Sequence, residues 1–126
     1  RFKEVNDTLG HAAGDRLIEV YAERIREVLR GSDLVGRLGG DEVLLMLDGV
    51  TDLPAVVARM EQLVEAMAAP VSMAGTDEHP TLTFSTTVSV GITVAVDGDT
   101  TDSVYARADG AMYLAKAAGG GHVELA

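Results

Sequence analysis

Cysteine is absent from this 126-residue chain. Disulfides and thiolate-bound metals are therefore excluded, and the composition fits a reducing compartment. Long apolar runs are also missing, and none approaches the ~20 residues that a membrane-spanning helix needs. No secretory signal pattern is visible in these residues. Positive charge is in short supply. Ten lysines and arginines face twenty acids, a formal charge of −10. That balance argues against broad binding to nucleic acid or an anionic membrane surface, since both need a basic field. A phosphate ligand remains possible where metal ions and a few local bases outweigh the global field. Only two of the ten bases are lysines, Lys3 and Lys116, near opposite ends of the chain. The first residue is Arg1 and not Met, so a piece of a longer protein is expected.

What is there is ordinary globular material, 47% hydrophobic and 24% charged, enough for one domain with a sizeable core over residues 1–126. The stretch Arg37-Leu38-Gly39-Gly40-Asp41-Glu42-Val43-Leu44-Leu45-Met46-Leu47 is its centre. Paired glycines between two β-favouring runs predict a tight hairpin, because its turn needs φ > 0. Val43 to Leu47 is apolar without alternation, which predicts a strand covered on both faces. Upstream, Arg1 to Asp15 reads as polar and irregular, with Phe2 and Val5 able to pack inward. Leu17, Tyr21, Ile25, Val28 and Leu29 then recur at helical spacing, predicting a helix from about Gly14 to Arg30 that Gly31-Ser32 stops.

After the hairpin, Asp48-Gly49 turns the chain. Thr51 or Asp52 caps a second helix with Pro54 in its first turn. Val56, Val57, Met60, Leu63, Val64 and Met67 form its apolar set, and Met60, Met67 and Met73 read as core filling. Asp77-Glu78-His79-Pro80 reads as a loop. Thr81 to Phe84 and Thr86 to Val96 are rich in β-branched residues and predict two strands or one bent strand, with Gly91 marking a bulge or a close approach. An alanine-rich helix follows from Thr100 or Thr101 to about Ala117, with Val104, Ala108, Ala111, Met112 and Ala115 facing in. Gly119-Gly120-Gly121 breaks it before a short last strand, His122 to Leu125. The order α-β-β-α-β-β-α-β predicts an α/β fold, a mixed sheet with helices on its faces.

Several polar residues stand out. Asp41 and Glu42 lie where an apolar strand meets a glycine turn, an arrangement suited to metal and phosphate. Taken alone, they read as a solvated hairpin tip. Asn6, Asp7 and Asp15 ordinarily make turns and caps, and an isolated His11 is more often packed or solvated than a ligand. Arg30 and Asp33, three apart at a helix end, ordinarily form a solvated cap.

In order, the chain carries Phe2-Lys3-x-x-Asn6-Asp7-x-x-Gly10-His11-x-x-Gly14-Asp15, Arg30-x-x-Asp33, Arg37-x-Gly39-Gly40-Asp41-Glu42, Ser89-Val90-Gly91 and Ala108-Asp109-x-Ala111-Met112-Tyr113-x-Ala115-Lys116. Together these motifs resemble the GGDEF domain of diguanylate cyclases from residue 1 to about 123. The resemblance implies a ferredoxin-like, nucleotidyl-cyclase-like α/β domain with a mixed central sheet. It implies binding of GTP with two Mg²⁺ (or Mn²⁺) and condensation of two GTP into cyclic di-GMP by two facing domains, a homodimer, with release of pyrophosphate.

Carried over by residue, Asp41 would be a metal ligand and a candidate proton acceptor, with Glu42 its neighbour in metal or proton handling. Lys3 and Lys116 would stabilise phosphate charge. Asn6 and Asp15 would hold the guanine edge, and His11, Gly39 and Gly40 complete the substrate site. Arg30 and Asp33 match the inhibitory site where cyclic di-GMP restrains the enzyme.

The resemblance also implies an upstream strand with a metal aspartate just before Phe2, so the domain is expected to be N-terminally incomplete and part of a larger signalling protein. Residues 1–126 alone are then expected to bind GTP weakly. Two further departures bear on activity. Val43 replaces a phenylalanine, and Gly120-Gly121 replace an arginine and an asparagine after Lys116. Two functions follow: an active cytoplasmic diguanylate cyclase, or a degenerate domain that binds GTP or cyclic di-GMP and regulates an attached domain. No contact with nucleic acid or membrane by the domain itself is expected.

Overall fold

The computed structural model describes residues 2–74 and 81–126, apart from the side chain of Phe2. The expected inward packing of Phe2 and the loop Asp77-Glu78-His79-Pro80 lie outside the described residues. The elements run α1 (Phe2–Leu9), α2 (His11–Val28), β1 (Leu34–Gly39), β2 (Glu42–Met46), α3 (Leu53–Ala68), β3 (Val71–Ala74), β4 (Thr81–Phe84), β5 (Val90–Ile92), α4 (Thr101–Ala117) and β6 (Val123–Leu125).

The first helix corrects the expectation of an irregular N-terminal segment. Asn6 and Asp7 lie inside α1, and α2 begins at His11. Val5 explains the helix, because it is wholly buried beside Leu17, Val71 and Met73. Gly10 makes the corner between the two helices at φ 87°, a left-handed conformation that favours glycine. Its N–H donates to the Asn6 carbonyl at 2.9 Å, closing the end of α1.

Two apolar clusters hold the chain together. One joins α1 and α2 to the β3–β4 pair. The other centres on Val56, Met60, Leu63 and Met67 of α3 and receives Ile25, Val28, Leu45, Leu47, Val90, Ile92 and Val123. The methionines are core filling, as their spacing predicts: Met60, Met67 and Met73 are all buried. Caps fix the helix ends. Asp52 accepts from the Ala55 N–H ahead of α3, and Thr100 and Ser103 form a reciprocal capping box at α4. Arg24 of α2 lies over the Tyr21 ring and donates to the carbonyls of Ala69 (2.7 Å) and Pro70 (3.4 Å), tying α2 to the end of α3.

The sheet is mixed but divided. β1 pairs antiparallel with β2, β3 antiparallel with β4, and β5 parallel with β6, as three two-stranded sheets among the described residues. β3 lies in a stretch from which no strand is predicted, and the strand expected from Thr86 to Val96 shrinks to Val90–Ile92. The β2 side and the β5–β6 side both rest on α3 without pairing to each other. The expectation that Val43 to Leu47 is covered on both faces also fails. Val43 is 43% and Met46 60% exposed, because α3 receives only Leu45 and Leu47 from this stretch.

Gly91 is the close approach that its place in a β-rich run predicts. A Cβ there would collide with the backbone of Ala108 and Met112, so the missing side chain is what lets α4 sit down on β5.

Candidate active site

The hairpin builds its tip from a bulge and a glycine turn. Arg37 pairs with Val43, then the register shifts so that Gly39 pairs with Glu42, leaving Gly40 and Asp41 between them. Gly39 (φ 145°) and Gly40 (φ 54°) both take positive φ, as expected of the turn. Arg37 then pins it: its Nε and Nη2 donate to the Gly40 carbonyl at 3.0 and 2.7 Å. The sequence puts Arg37 in the motif, and the structure adds what its fork does.

Asp41 is exposed and Glu42 half-buried. Among the described residues neither carboxylate has a hydrogen-bond or ion-pair partner, so both are free to meet a ligand. Two unpaired hard oxygen donors fit a Mg²⁺-type cation, which takes one or two protein carboxylates and completes its shell with phosphate and water oxygens. Among the described residues no group of three His, Asp or Glu side chains gathers at one point.

The corner between α1 and α2 places Asn6 on one arm and Asp15 on the other. His11 opens α2, and Lys3 lies one turn before Asn6 on α1. Asn6 is half-buried, while Lys3, His11 and Asp15 are exposed. Gly14 is buried under the corner. Lys116 stands exposed in the last turn of α4. Among the described residues no hydrogen bond or ion pair joins the hairpin acids, this corner and Lys116 to one another.

After Lys116, Gly119, Gly120 and Gly121 take φ of 116°, 73° and 73°. The Gly120 N–H donates to the Ala115 carbonyl at 3.0 Å. This run is a left-handed closure of the helix, the C-terminal use of glycine. Gly120 therefore terminates α4 here, in a conformation an arginine side chain disfavours.

Asp33 is not part of a solvated cap, although Arg30 is exposed. Asp33 accepts from the Arg30 N–H at 2.8 Å, and its side chain is only 2% exposed. It meets Arg59 of α3, whose Nη2 lies 3.3 Å from Asp33 Oδ2. The Nη1 of Arg59 is buried without a partner among the described residues. Arg59 is not among the residues expected at the site, and its signal in the sequence is an arginine between Val57 and Met60 on a largely apolar helix.

The profile of the family described as "Diguanylate cyclase, GGDEF domain" matches residues 1–122. The chain belongs to the GGDEF family. It is 39% identical over 127 aligned positions to the diguanylate cyclase TpbB of Pseudomonas aeruginosa, covering all of this chain and 28% of that protein. The crystal structure of the TpbB GGDEF domain superposes with a TM-score of 0.76 at 38% identity, covering all of this chain and 76% of that one. The cyclic di-GMP phosphodiesterase NbdA of P. aeruginosa is 36% identical over 119 residues, 94% of this chain and 14% of that protein. The coiled coil and GGDEF domain of DgcB from Caulobacter crescentus, crystallised with c-di-GMP, matches at 27% identity and a TM-score of 0.73, over all of this chain and 64% of that one. The chain thus spans less than a third of the length of TpbB. The expected GGDEF fold is shown. Among the described residues no helix is long and apolar enough to cross a membrane.

Proposed function

We propose that this chain is the GGDEF domain of a larger cytoplasmic-facing signalling protein and that it condenses two GTP into cyclic di-GMP. The observation that carries the reading is the free Asp41/Glu42 pair on a glycine turn held by Arg37. In the reaction, two copies of the domain face each other with one GTP on each. Each 3′-hydroxyl loses its proton and attacks the α-phosphate of the other nucleotide. Two phosphodiester bonds form, and two pyrophosphates leave.

Asn6 and Asp15 hold the guanine edge, the acid accepting from ring N–H and amino groups. His11, Gly39 and Gly40 shape the approach. Lys3 and Lys116 offset charge on the phosphates. Asp41 accepts the proton of the attacking hydroxyl, and with Glu42 would hold the cation. When bound, Mg²⁺ or Mn²⁺ supplies charge neutralisation on the phosphates. The reading requires an additional strand upstream of Phe2, and that strand would lie between the β2 and β5 sides, which both rest on α3 without pairing to each other.

The test is incubation of the full-length protein with GTP or ATP and Mg²⁺, followed by chromatography of the nucleotides. Cyclic di-GMP from GTP, and no product from ATP, is the expected outcome. The absence of cyclic di-GMP would refute the reading.

Arg30, Asp33 and Arg59 form the proposed product site. A buried guanidinium nitrogen without a partner supports an anionic guest there. Cyclic di-GMP should inhibit turnover, and Arg30→Ala should raise the inhibitory concentration by roughly 10-fold or more through loss of a charged hydrogen bond. Equal inhibition of both proteins would leave the cluster structural.

A second reading rests on Gly120. The triphosphate side lacks a cation where the turn demands glycine, and a phosphodiesterase carries a similar domain. On that reading the domain binds GTP or cyclic di-GMP and regulates a neighbour. Nucleotide binding without turnover would identify it.

A further inference from the structure

Arg107 has no place in the site described above, yet its side chain donates four hydrogen bonds. Its Nη1 and Nη2 donate to the two carboxylate oxygens of Asp99, both at 2.7 Å. Nη2 also donates to the Val94 carbonyl at 3.0 Å, and Nε to Thr93 Oγ1 at 3.2 Å. Asp99 is itself fixed by the Val96 N–H (2.8 Å) and the Ser103 hydroxyl (2.9 Å). One guanidinium therefore binds α4 to the segment that leaves β5.

The second fixed point is Gly91. Ala108 and Met112 sit against it, and Ala111 and Ala115 are buried on the same side of α4. At Gly91 the contact is backbone against backbone, so no side chain of that residue keys the roll of the helix there. At 3.6 residues per turn, Arg107 and Lys116 lie roughly half a turn apart around the helix and about 13 Å apart along it. They therefore flank the buried stripe on opposite edges. A roll of α4 that lifts Arg107 out of its clasp turns Lys116 toward or away from its ligand. The planar fork of arginine makes such a clasp directional, which a lysine could not.

We infer that Arg107 is a positioning residue: by clasping Asp99, Thr93 and Val94 it sets the roll of α4 on Gly91 and so the direction in which Lys116 is presented to the nucleotide phosphates. This rests on the reading of Lys116 as a phosphate-facing cation.

The test is a double-variant cycle on the full-length protein with Mg²⁺-GTP, paired with amide hydrogen exchange. Arg107→Ala should raise KM for GTP roughly tenfold while kcat stays within about threefold, because a misplaced cation loses its charge-assisted contact with bound phosphate. Arg107→Lys, which keeps the charge and loses the fork, should give an intermediate KM and guards against a variant that does not fold. In a Lys116→Ala background, Arg107→Ala should change KM by less than about twofold, since the residue it positions is already gone. Amides from Met112 to Ala117 should exchange about tenfold faster in Arg107→Ala, with those of α3 unchanged.

Multiplicative effects in the double variant would overturn the link to Lys116. Unchanged exchange in α4 would overturn the clasp. Failure of the unmodified protein to bind or turn over GTP would instead overturn the reading of the site, and with it the role given to Arg107.

Discussion

Gly40 at the hairpin tip and Gly91 in β5 use the same residue for different ends. At the tip, glycine supplies a positive φ in open space, with nothing within 4 Å of where a Cβ would stand. In β5 it supplies absence, so that a helix backbone can rest on a strand. The surroundings follow suit. The hairpin leaves Leu34, Leu38, Val43 and Met46 exposed and its two acids unpartnered, whereas the β5–α4 region buries Ala111 and Ala115 and saturates Arg107 with acceptors. Stability is concentrated at the second place and unspent chemistry at the first. A ligand-binding tip needs groups without partners, and a scaffold needs the reverse.

The sharpest way to break this contrast is a matched pair of glycine substitutions. Gly91→Ala forces the Ala108 and Met112 backbone away and should cost about 3 kcal/mol or more, the upper end of the overpacking range. Gly36→Ala, on β1 with nothing within 4 Å of its Cβ position and no positive φ, should change stability by no more than about 0.5 kcal/mol. Urea denaturation of the two variants checks both. Similar losses would mean that the hairpin is packed as tightly as the seat of α4.

A smaller effect is expected at the clasp. Hydrogen bonds from Arg107, the Val96 N–H and Ser103 hold the Asp99 carboxyl well below its ordinary value of 3.8. A carboxylate with a depressed folded pKa adds stability that is present above its unfolded pKa and lost as pH falls through the folded one. The Tm difference between the unmodified protein and Asp99→Asn should therefore be steady from pH 7 to about pH 5. It should shrink as the pH is taken below about 4. A difference that did not depend on pH would mean that the charge on Asp99 does not carry the clasp.

Much of this was legible in the sequence where periodicity is strong. The stripe from Leu17 to Val28, the apolar set of α3, the alanine-rich α4 and the glycine hairpin all announce themselves, and Gly91 stands out in a β-branched run. What was illegible depends on distant partners. α1 is short and polar, and Val5 holds it only because Leu17, Val71 and Met73 come to meet it. β3 is a four-residue strand that exists through its pairing with β4. Arg59 joins Asp33 from another element entirely. The exposure of Val43 had no local sign, since an apolar run reads the same whether or not a neighbour covers its second face.

On the proposed function, the free carboxylate at the hairpin tip acts on nucleotide while the rest of the chain supports it. Asp41→Asn in the full-length protein tests it most directly, with GTP turnover and thermal melting measured on the same sample. The exchange keeps shape and removes charge at an exposed position, so Tm should stay within about 1 °C. Cyclic di-GMP formation should fall by roughly a hundredfold or more. Turnover that persists at the unmodified rate with an unchanged Tm would contradict the account.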